Sequence, residues 1–322
     1  MTEKKEIAVG GQAVIEGVMM RGPAHIATAV RRQNGDIEIC KEPFVSVTKK
    51  PGLFSKPIIR GFVSLIEMLR IGLKSLTFSA KRAELDMEAP EKKKSARREK
   101  TEETMTLIVA FGLAFLLFAL LPYKIADWTG IRENPLYFNL YAGVIRVVFF
   151  VLYIFIISRL KDIKRVFEYH GAEHKAVHCY EQGKPLTPET VLTFSAKHPR
   201  CGTSFIFFVL LVSIVIFAFT DALVAAIIGH APLIFIRLGY HLLMLPLISG
   251  ISYEILRFSG KKINHPVVKL MTGPGMALQN MTTQPPDNEQ AEIAIVALKA
   301  ALELPLDDMQ NLLWICNNDT AK

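Results

Sequence analysis

Four apolar runs, at about 104–121, 139–158, 205–228 and 232–252, stand out from the rest of the chain. Each is close to the roughly 20 helical residues that a hydrocarbon core about 30 Å thick requires, so the pattern predicts four transmembrane helices. Their polar interruptions are Arg146, Asp221, Arg237 and His241, and Pro246, which lacks a backbone donor, is expected to kink the last helix. Residues 58–78 are also apolar, but Arg60, Ser64, Glu67, Arg70 and Lys74 recur every three or four positions and form a polar stripe. The expectation is an amphipathic helix, either lying along the membrane or packed on the bundle. Asn34-Gly35 favours a two-residue hairpin turn, so residues 13–45 read as a small β-unit. Charges of both signs crowd between Lys81 and Glu103, as in a solvated linker or an exposed helix. Pro285-Pro286-Asp287 precedes an Ala-rich stretch to Leu304, with Asp287 able to cap a helix and Gln290 to complete a capping box.

The expected fold class is a mainly α membrane protein with four transmembrane helices, a small N-terminal cytosolic β-unit and a helical cytosolic C-terminal tail. Its expected segments are the β-unit (1–57), the amphipathic helix at the membrane (58–82), the charged linker (83–103), transmembrane helices one and two (104–158), a His/Cys-rich cytosolic loop (159–204), transmembrane helices three and four (205–252) and the C-terminal tail (253–322).

Composition agrees with this division: 51% of the 322 residues are hydrophobic, and 38 Lys and Arg against 30 Asp and Glu give a net charge of +8. The basic residues fall between the apolar runs rather than along one face of a domain, so no nucleic-acid partner is expected. Residues 1–104 carry 20 Lys and Arg, 159–204 carry 8 and 253–322 carry 6, against 2 in 122–138 and none near 229–231. The positive-inside rule then places both termini in the cytosol. Cys40, Cys179, Cys201 and Cys316 are too few and too widely spread for a disulfide framework, and no CxxC pair marks a zinc ribbon. The first residues lack the apolar core of a signal peptide. No phosphate-loop or dinucleotide pattern occurs, so no nucleotide is inferred.

The chemistry concentrates in two segments. From Glu168 to Glu181 a helix is expected, and at 100° per residue His170, Glu173, His174, His178 and Glu181 share about 140° of one face. Two His four apart can hold one metal ion, and His-x-x-Glu-His, with the intervening Glu as base, is the inverzincin order. A polar helix face near anionic headgroups is the plainer alternative. His198-Pro199-Arg200-Cys201-Gly202-Thr203-Ser204, at the mouth of the third crossing, adds an imidazole and a thiol, so His170, His174 and either His198 or Cys201 make a three-ligand set with one open position. Cys201 could equally be a buried structural thiol. In the opening segment Glu16 is a candidate ligand or base, and Arg21, like Arg200, could hold an anionic substrate group, a plain salt bridge being the alternative. Asn264-His265-Pro266 and Gly273-Pro274-Gly275 read as a loop-rich stretch on the same side, and Glu254 as the end of the fourth crossing. Arg146, Asp221 and Arg237 are expected toward the outer leaflet, either on an ion path or as a structural pair with snorkelling arginines.

Gly11-Gln12-Ala13-Val14-Ile15-Glu16-Gly17-Val18-Met19-Met20-Arg21, the Glu-Tyr-His-Gly-Ala-Glu-His-Lys segment, His198-Pro199-Arg200-Cys201-Gly202-Thr203-Ser204 and Pro274-Gly275-Met276-Ala277-Leu278-Gln279 together resemble the YqhQ-like family of bacterial membrane proteins. The resemblance covers nearly the whole chain. It implies a multi-pass protein of the bacterial cytoplasmic membrane from an uncharacterised family labelled as predicted metal-dependent enzymes, with Glu16, His170, Glu173, His174, His198 and Cys201 at the matching positions. It implies no substrate.

Three functions follow in order of expectation. The first is a metal-dependent hydrolase on the cytosolic face, holding a divalent ion, zinc first and iron second, with Glu173 as base. An iron oxygenase is a variant, although six cytosolic histidines are few for two irons. The second is a non-enzymatic scaffold or assembly factor that recruits a protein partner or anionic lipid. The third is a small transporter resting on Asp221, Arg146 and Arg237.

Overall fold

The computed structural model describes residues 9–87, 96–131, 134–261, 265–307 and 309–316. The part of the charged linker from 88 to 95, and Asn264, lie outside the described residues. The chain is mainly helical, with a small sheet built chiefly from its N-terminal residues.

The sheet has the order β1-β2-β3-β4-β5: β1 (Gly10–Val14), β2 (Gly17–Arg21), β3 (His25–Arg31) and β4 (Ile37–Pro43) are antiparallel neighbours, and β5 (Leu312–Trp314) pairs parallel to β4. Val14 pairs with Gly17, so Ile15 and Glu16 form the first turn, with Glu16 in the left-handed region (φ +52°). The second turn is one residue longer than Asn34-Gly35 suggested. Arg31 pairs with Ile37, the Arg32 amide donates to the Asp36 carbonyl, and Gly35 takes φ +91°, the arrangement of a three-residue hairpin loop.

Strand periodicity of two splits the sheet's side chains between two faces. Val18, Met20, Ala27, Ala29, Ile37 and Ile39 face α10 (Asn288–Leu302), whereas Val14, Met19, Ile26 and Val30 meet Ile71 of α1 (Ile59–Met87). Helix α10 starts at the expected capping box of Asp287 and Gln290. It is nevertheless no free tail: Ile293 to Leu298 are fully buried between the sheet and α5 (Lys161–Glu181), with α6 (Pro188–Leu192) alongside. The residues expected as separate N-terminal and C-terminal segments therefore share one core. The apolar face of four short strands needs a helix to cover it, and α10 is that cover.

Helix α1 bridges this unit and the long helices. At one end Arg60 pairs with Glu254, and Gly61 lies against Gly250 and Tyr253 of α8 (Ile234–Lys261). At the other, Ser75 bonds Thr28, the Ile15 amide donates to Ser79 Oγ at 3.2 Å, and Arg32 binds Asp86. Polar residues of α1 thus serve packing where Arg60 bonds α8 and Ser75, Ser79 and Asp86 bond the sheet unit, while Arg70 is exposed alongside Ile66, Leu69, Leu73 and Leu76.

Among the described residues, four helices are long and apolar enough to cross a membrane: Thr104–Trp128, Pro135–Ile157, Gly202–Ile228 and Ile234–Gly260. The first comprises α2 (Ala96–Phe115), a π-turn (Leu116–Leu120) and α3 (Leu121–Trp128); the next two are α4 (Pro135–Ile157) and α7 (Gly202–Ile228), and α8 continues through Pro246. The π-turn widens the backbone at Phe118, whose carbonyl accepts from Arg146 Nε at 2.8 Å. The stretch expected to be loop-rich is instead helical: α9 (Pro266–Thr282) begins with proline at its first position, where no donor is lost, and continues through Pro274. Gly275 of α9 lies against Ser204 of α7.

Cys40 and Cys316, 276 residues apart in sequence, form a disulfide. Spacing argued only against a multi-bridge framework; this one pair arises because β5 returns to the edge of β4. A disulfide is typical of oxidising compartments, opposite to the side indicated by the Lys and Arg distribution. Tagging denatured, unreduced protein with a maleimide polymer is expected to label two thiols, those of the free Cys179 and Cys201, and four after reduction; four without reduction would show that the pair is held open. Leu298→Ala, at a fully buried position, is expected to cost about 2–5 kcal/mol, read as a lower unfolding midpoint in detergent.

Candidate metal centre

Helix α5 begins at Lys161, about two turns before the expected start, and ends at Gln182 before Gly183, whose φ is +65°. Its Tyr169, Ala172, Ala176 and Val177 are buried in the α10 core. That packing turns the opposite face, with His170, His174 and His178, toward the segment 194–204 and α9. Gly171 permits the approach: a Cβ there would lie 2.1 Å from the Gln284 carbonyl oxygen.

His170 Nδ1 lies 2.7 Å from the Thr282 carbonyl, and His174 Nδ1 bonds the Ala196 carbonyl. A carbonyl only accepts, so each Nδ1 carries the proton and each Nε2 keeps its lone pair. His170 Nε2 lies 3.3 Å from Cys201 Sγ. One ligand atom each from His170, His174 and Cys201 falls within 4.8 Å of the others. Two ligands of a tetrahedral zinc, one nitrogen and one sulfur, are separated by about 3.6 Å, so little movement would be needed. Carbonyl-anchored imidazoles are also the usual support of metal-binding histidines. Cys201 is buried at the cap position of α7, with its sulfur 3.2 Å from Thr203 Oγ1.

Glu173 is buried beside this trio. Its Oε2 lies 3.5 Å from His174 Nε2, and the Gly11 amide bonds its carboxylate. Burial raises its pKa above the usual carboxylate range, partly offset by His170 and the Gly11 bond.

His198 is held differently. Its amide donates to Gln279 Oε1 at 2.8 Å, its carbonyl accepts from Gln279 Nε2 at 2.9 Å, and the same Nε2 reaches Ser204 Oγ at 3.1 Å. Its Nδ1 accepts from the Arg200 amide, which leaves the proton on Nε2, 3.6 Å from Glu181 Oε2. Of the two candidates for a third ligand, the geometry therefore favours Cys201. Burial lowers the His198 pKa to about 4, against the opposing hydrogen bond from Glu181. His178, Glu181 and His198 form an adjacent second group, in which His178 Nε2 bonds the Lys197 carbonyl at 2.8 Å and Arg200 pairs with Glu181.

Two expected members are elsewhere. Glu16, in the β1–β2 turn, pairs with Arg165 and accepts from Tyr169 at 3.2 Å, which anchors the start of α5 to the sheet. Arg21 lies between the sheet and α1, with Nη1 3.1 Å from Met68 Sδ and the guanidinium 4.6 Å from the centre of the Phe44 ring. Both serve as packing contacts, so neither meets the histidines. His265 occupies the N-cap position of α9 without a side-chain capping bond, and Glu254 holds Arg60. Sequence reasoning missed the backbone carbonyls of Ala196 and Thr282, which carry no side-chain signal, and did not assign a role to Gln279, the last residue of the segment 274–279.

A family model described as "Protein of unknown function (DUF1385)" matches residues 56–304. The chain is 36% identical over 318 residues to "Uncharacterized protein YqhQ" of Bacillus subtilis (strain 168), with 94% of this chain and 95% of that protein covered. No solved structure matches.

An unfolded histidine titrates near pH 6.5, so between about pH 6.5 and 4 the unfolded chain binds the proton that folded His198 refuses, and stability falls as pH falls through that window. For metal-free protein, His198→Gln is expected to remove about 2 kcal/mol of the stability difference between pH 7 and pH 5, measured as the shift in unfolding midpoint relative to wild type. An identical pH dependence in both proteins would contradict this assignment.

Proposed function

The chain belongs to the DUF1385 family of uncharacterised proteins, and from the geometry of its histidine cluster we propose that it is a multi-pass membrane protein acting as a metal-dependent hydrolase. The observation that carries the reading is the convergence of His170, His174 and Cys201, one ligand atom of each within 4.8 Å of the others, with both Nδ1 atoms committed to carbonyls. Two imidazoles and a thiolate suit zinc first and iron second. When bound, such an ion supplies Lewis acidity and an open position for water.

The remaining chemistry belongs to the chain. Glu173 combines burial, a raised pKa and a place beside His174, which suits a group that takes up and returns a proton. Gln279 fixes the 198–204 segment that carries Cys201. Arg200, tied to Glu181 at the rim, is the cation nearest to hand for an anionic substrate group. Cys201 directly precedes the Gly202–Ile228 span, so the site lies at the membrane surface. The Lys and Arg distribution supports a cytosolic position for it and for both termini in the bacterial cytoplasmic membrane.

A second reading, a scaffold recruiting a partner or anionic lipid, draws on the exposed stripe Ile66, Leu69, Leu73 and Leu76.

Protein purified without a His tag is expected to contain ~one zinc or iron per chain, at least tenfold less in His170→Ala/Cys201→Ala, and undiminished metal in the control Arg21→Gln. Elemental analysis of folded samples decides it: metal-free wild type, or full metal in the double variant, would remove the hydrolase reading and leave the scaffold.

A further inference from the structure

Far from the histidines, the long helices hold a second polar cluster. Asp221 lies twenty residues beyond Cys201 along α7, about 30 Å away at the helical rise. Its carboxylate is well supplied: Asn139 Nδ2 donates to Oδ2 at 2.7 Å, His241 Nε2 lies 2.8 Å from Oδ1, and Tyr240 also donates to Oδ1. Arg237 Nε lies 2.8 Å from Oδ2 as an ion pair, but off the axis of a hydrogen bond.

The anomaly is the rest of Arg237. It is 1% exposed, yet Nη1 and Nη2 have no hydrogen-bond partner, nor has the buried hydroxyl of Tyr123. The guanidinium lies 5.3 Å from the centre of the Tyr123 ring and 4.7 Å from that of Phe138, so the idle donors of Arg237 and Tyr123 are within reach of one small ligand. Buried donors without acceptors are costly, most of all where lipid replaces water. The idle groups here are chiefly donors, and the hydroxyl oxygens of Tyr123 and of Tyr240, which lies within hydrogen-bond reach of Arg237, are the spare acceptors beside them.

Charge points the same way. Asp221 is the carboxylate that touches the cluster, whereas two guanidiniums belong to it. Arg146 donates Nε to the neutral Phe118 carbonyl and lies 5.8 Å from the centre of the Phe217 ring, on which His241 stacks at 3.8 Å. One negative charge would offset the excess; a water molecule would satisfy donors without doing so. A cavity of about 360 Å³ opens one helical turn away, lined in part by Pro135, Ala222 and Ala225. Asn139 Nδ2 separates it from Asp221 by bonding the Pro135 carbonyl at 2.7 Å as well.

We propose that Arg237 Nη1 and Nη2 together with the Tyr123 hydroxyl form a binding site for a small monovalent anion, reached from the α4–α7 cavity. This site is independent of the metal centre. Its test is thermal unfolding of the purified full chain in nanodiscs of neutral lipid, with gluconate replaced stepwise by bromide at constant ionic strength. Wild type is expected to gain several degrees along a saturating curve. Tyr123→Phe, which removes one donor and keeps the ring, should weaken the apparent bromide affinity about tenfold, and Arg237→Gln should abolish the response. A flat wild-type response would assign the place to water. An equal response in all three proteins would trace it to other charges, and a shift produced by anionic lipid but not by bromide would make the ligand a headgroup; each of these overturns the proposal.

Discussion

Helix α5 meets the α9–α10 connection backbone to backbone, and it can do so only because residue 171 lacks a side chain. The Cβ of any other residue would stand 2.1 Å from the Gln284 carbonyl oxygen, well inside van der Waals contact. The same crossing is tied by the Gln284 amide donating to the Phe167 carbonyl at 2.9 Å. Three consequences hang from it. His170, one residue before the glycine, comes within reach of the Thr282 carbonyl that fixes its tautomer. Helix α9 is held where Gln279 can clamp the backbone of His198. Helix α10, starting at Asn288, is launched across the sheet. A local backbone approach therefore positions both the core beneath the sheet and the side chains of the candidate metal centre.

Features that depend on near neighbours were legible in the sequence. The capping box at Asp287 and Gln290 needs only four residues and a helix, and the stripe from His170 to Glu181 needs only the 100° rotation. The four apolar helices need only length and composition. What was hidden depends on distant pairings. Nothing in the run from Ala291 to Ala301 says that its apolar faces meet β2 and β3 at the other end of the chain, and three residues at 312–314 carry too little pattern to announce a strand. The polar stripe of α1 was visible, but its direction was not: Arg60 and Lys74 turn toward Glu254 and Glu42. That leaves the apolar positions outside, where lipid can cover them.

The candidate metal centre shows the same limit in finer detail. Sequence named His170, His174, His198 and Cys201 as one pool, and spacing could not rank His198 against Cys201. The ranking comes from proton placement. A histidine anchored at Nδ1 by a carbonyl presents a lone pair at Nε2, whereas His198 accepts an amide proton at Nδ1 and so presents a proton. Arg21 was a candidate on residue type, and Glu16 on residue type and on the resemblance of its motif. In the fold they lie at opposite ends of β2, Glu16 in the turn before it and paired with Arg165, Arg21 at its last position and packed against α1.

Burial acts on the two titratable neighbours of the centre in opposite senses, and both lead to neutrality. Glu173 is pushed up toward its protonated form and His198 down toward its unprotonated one, because a poorly hydrated pocket penalises either charge. Such a pocket is inexpensive to fold while empty of charge and strongly responsive to any charge that enters. Under the proposed function a dication beside His170, His174 and Cys201 would favour the ionised form of Glu173, through the same low dielectric that now disfavours it. The polar cluster of the long helices meets the problem from the other side, with two guanidiniums, of Arg146 and Arg237, beside the one carboxylate of Asp221. Helix α7 carries both solutions, with a poorly hydrated pocket against its first residue and a paired Asp221 about 30 Å along its length.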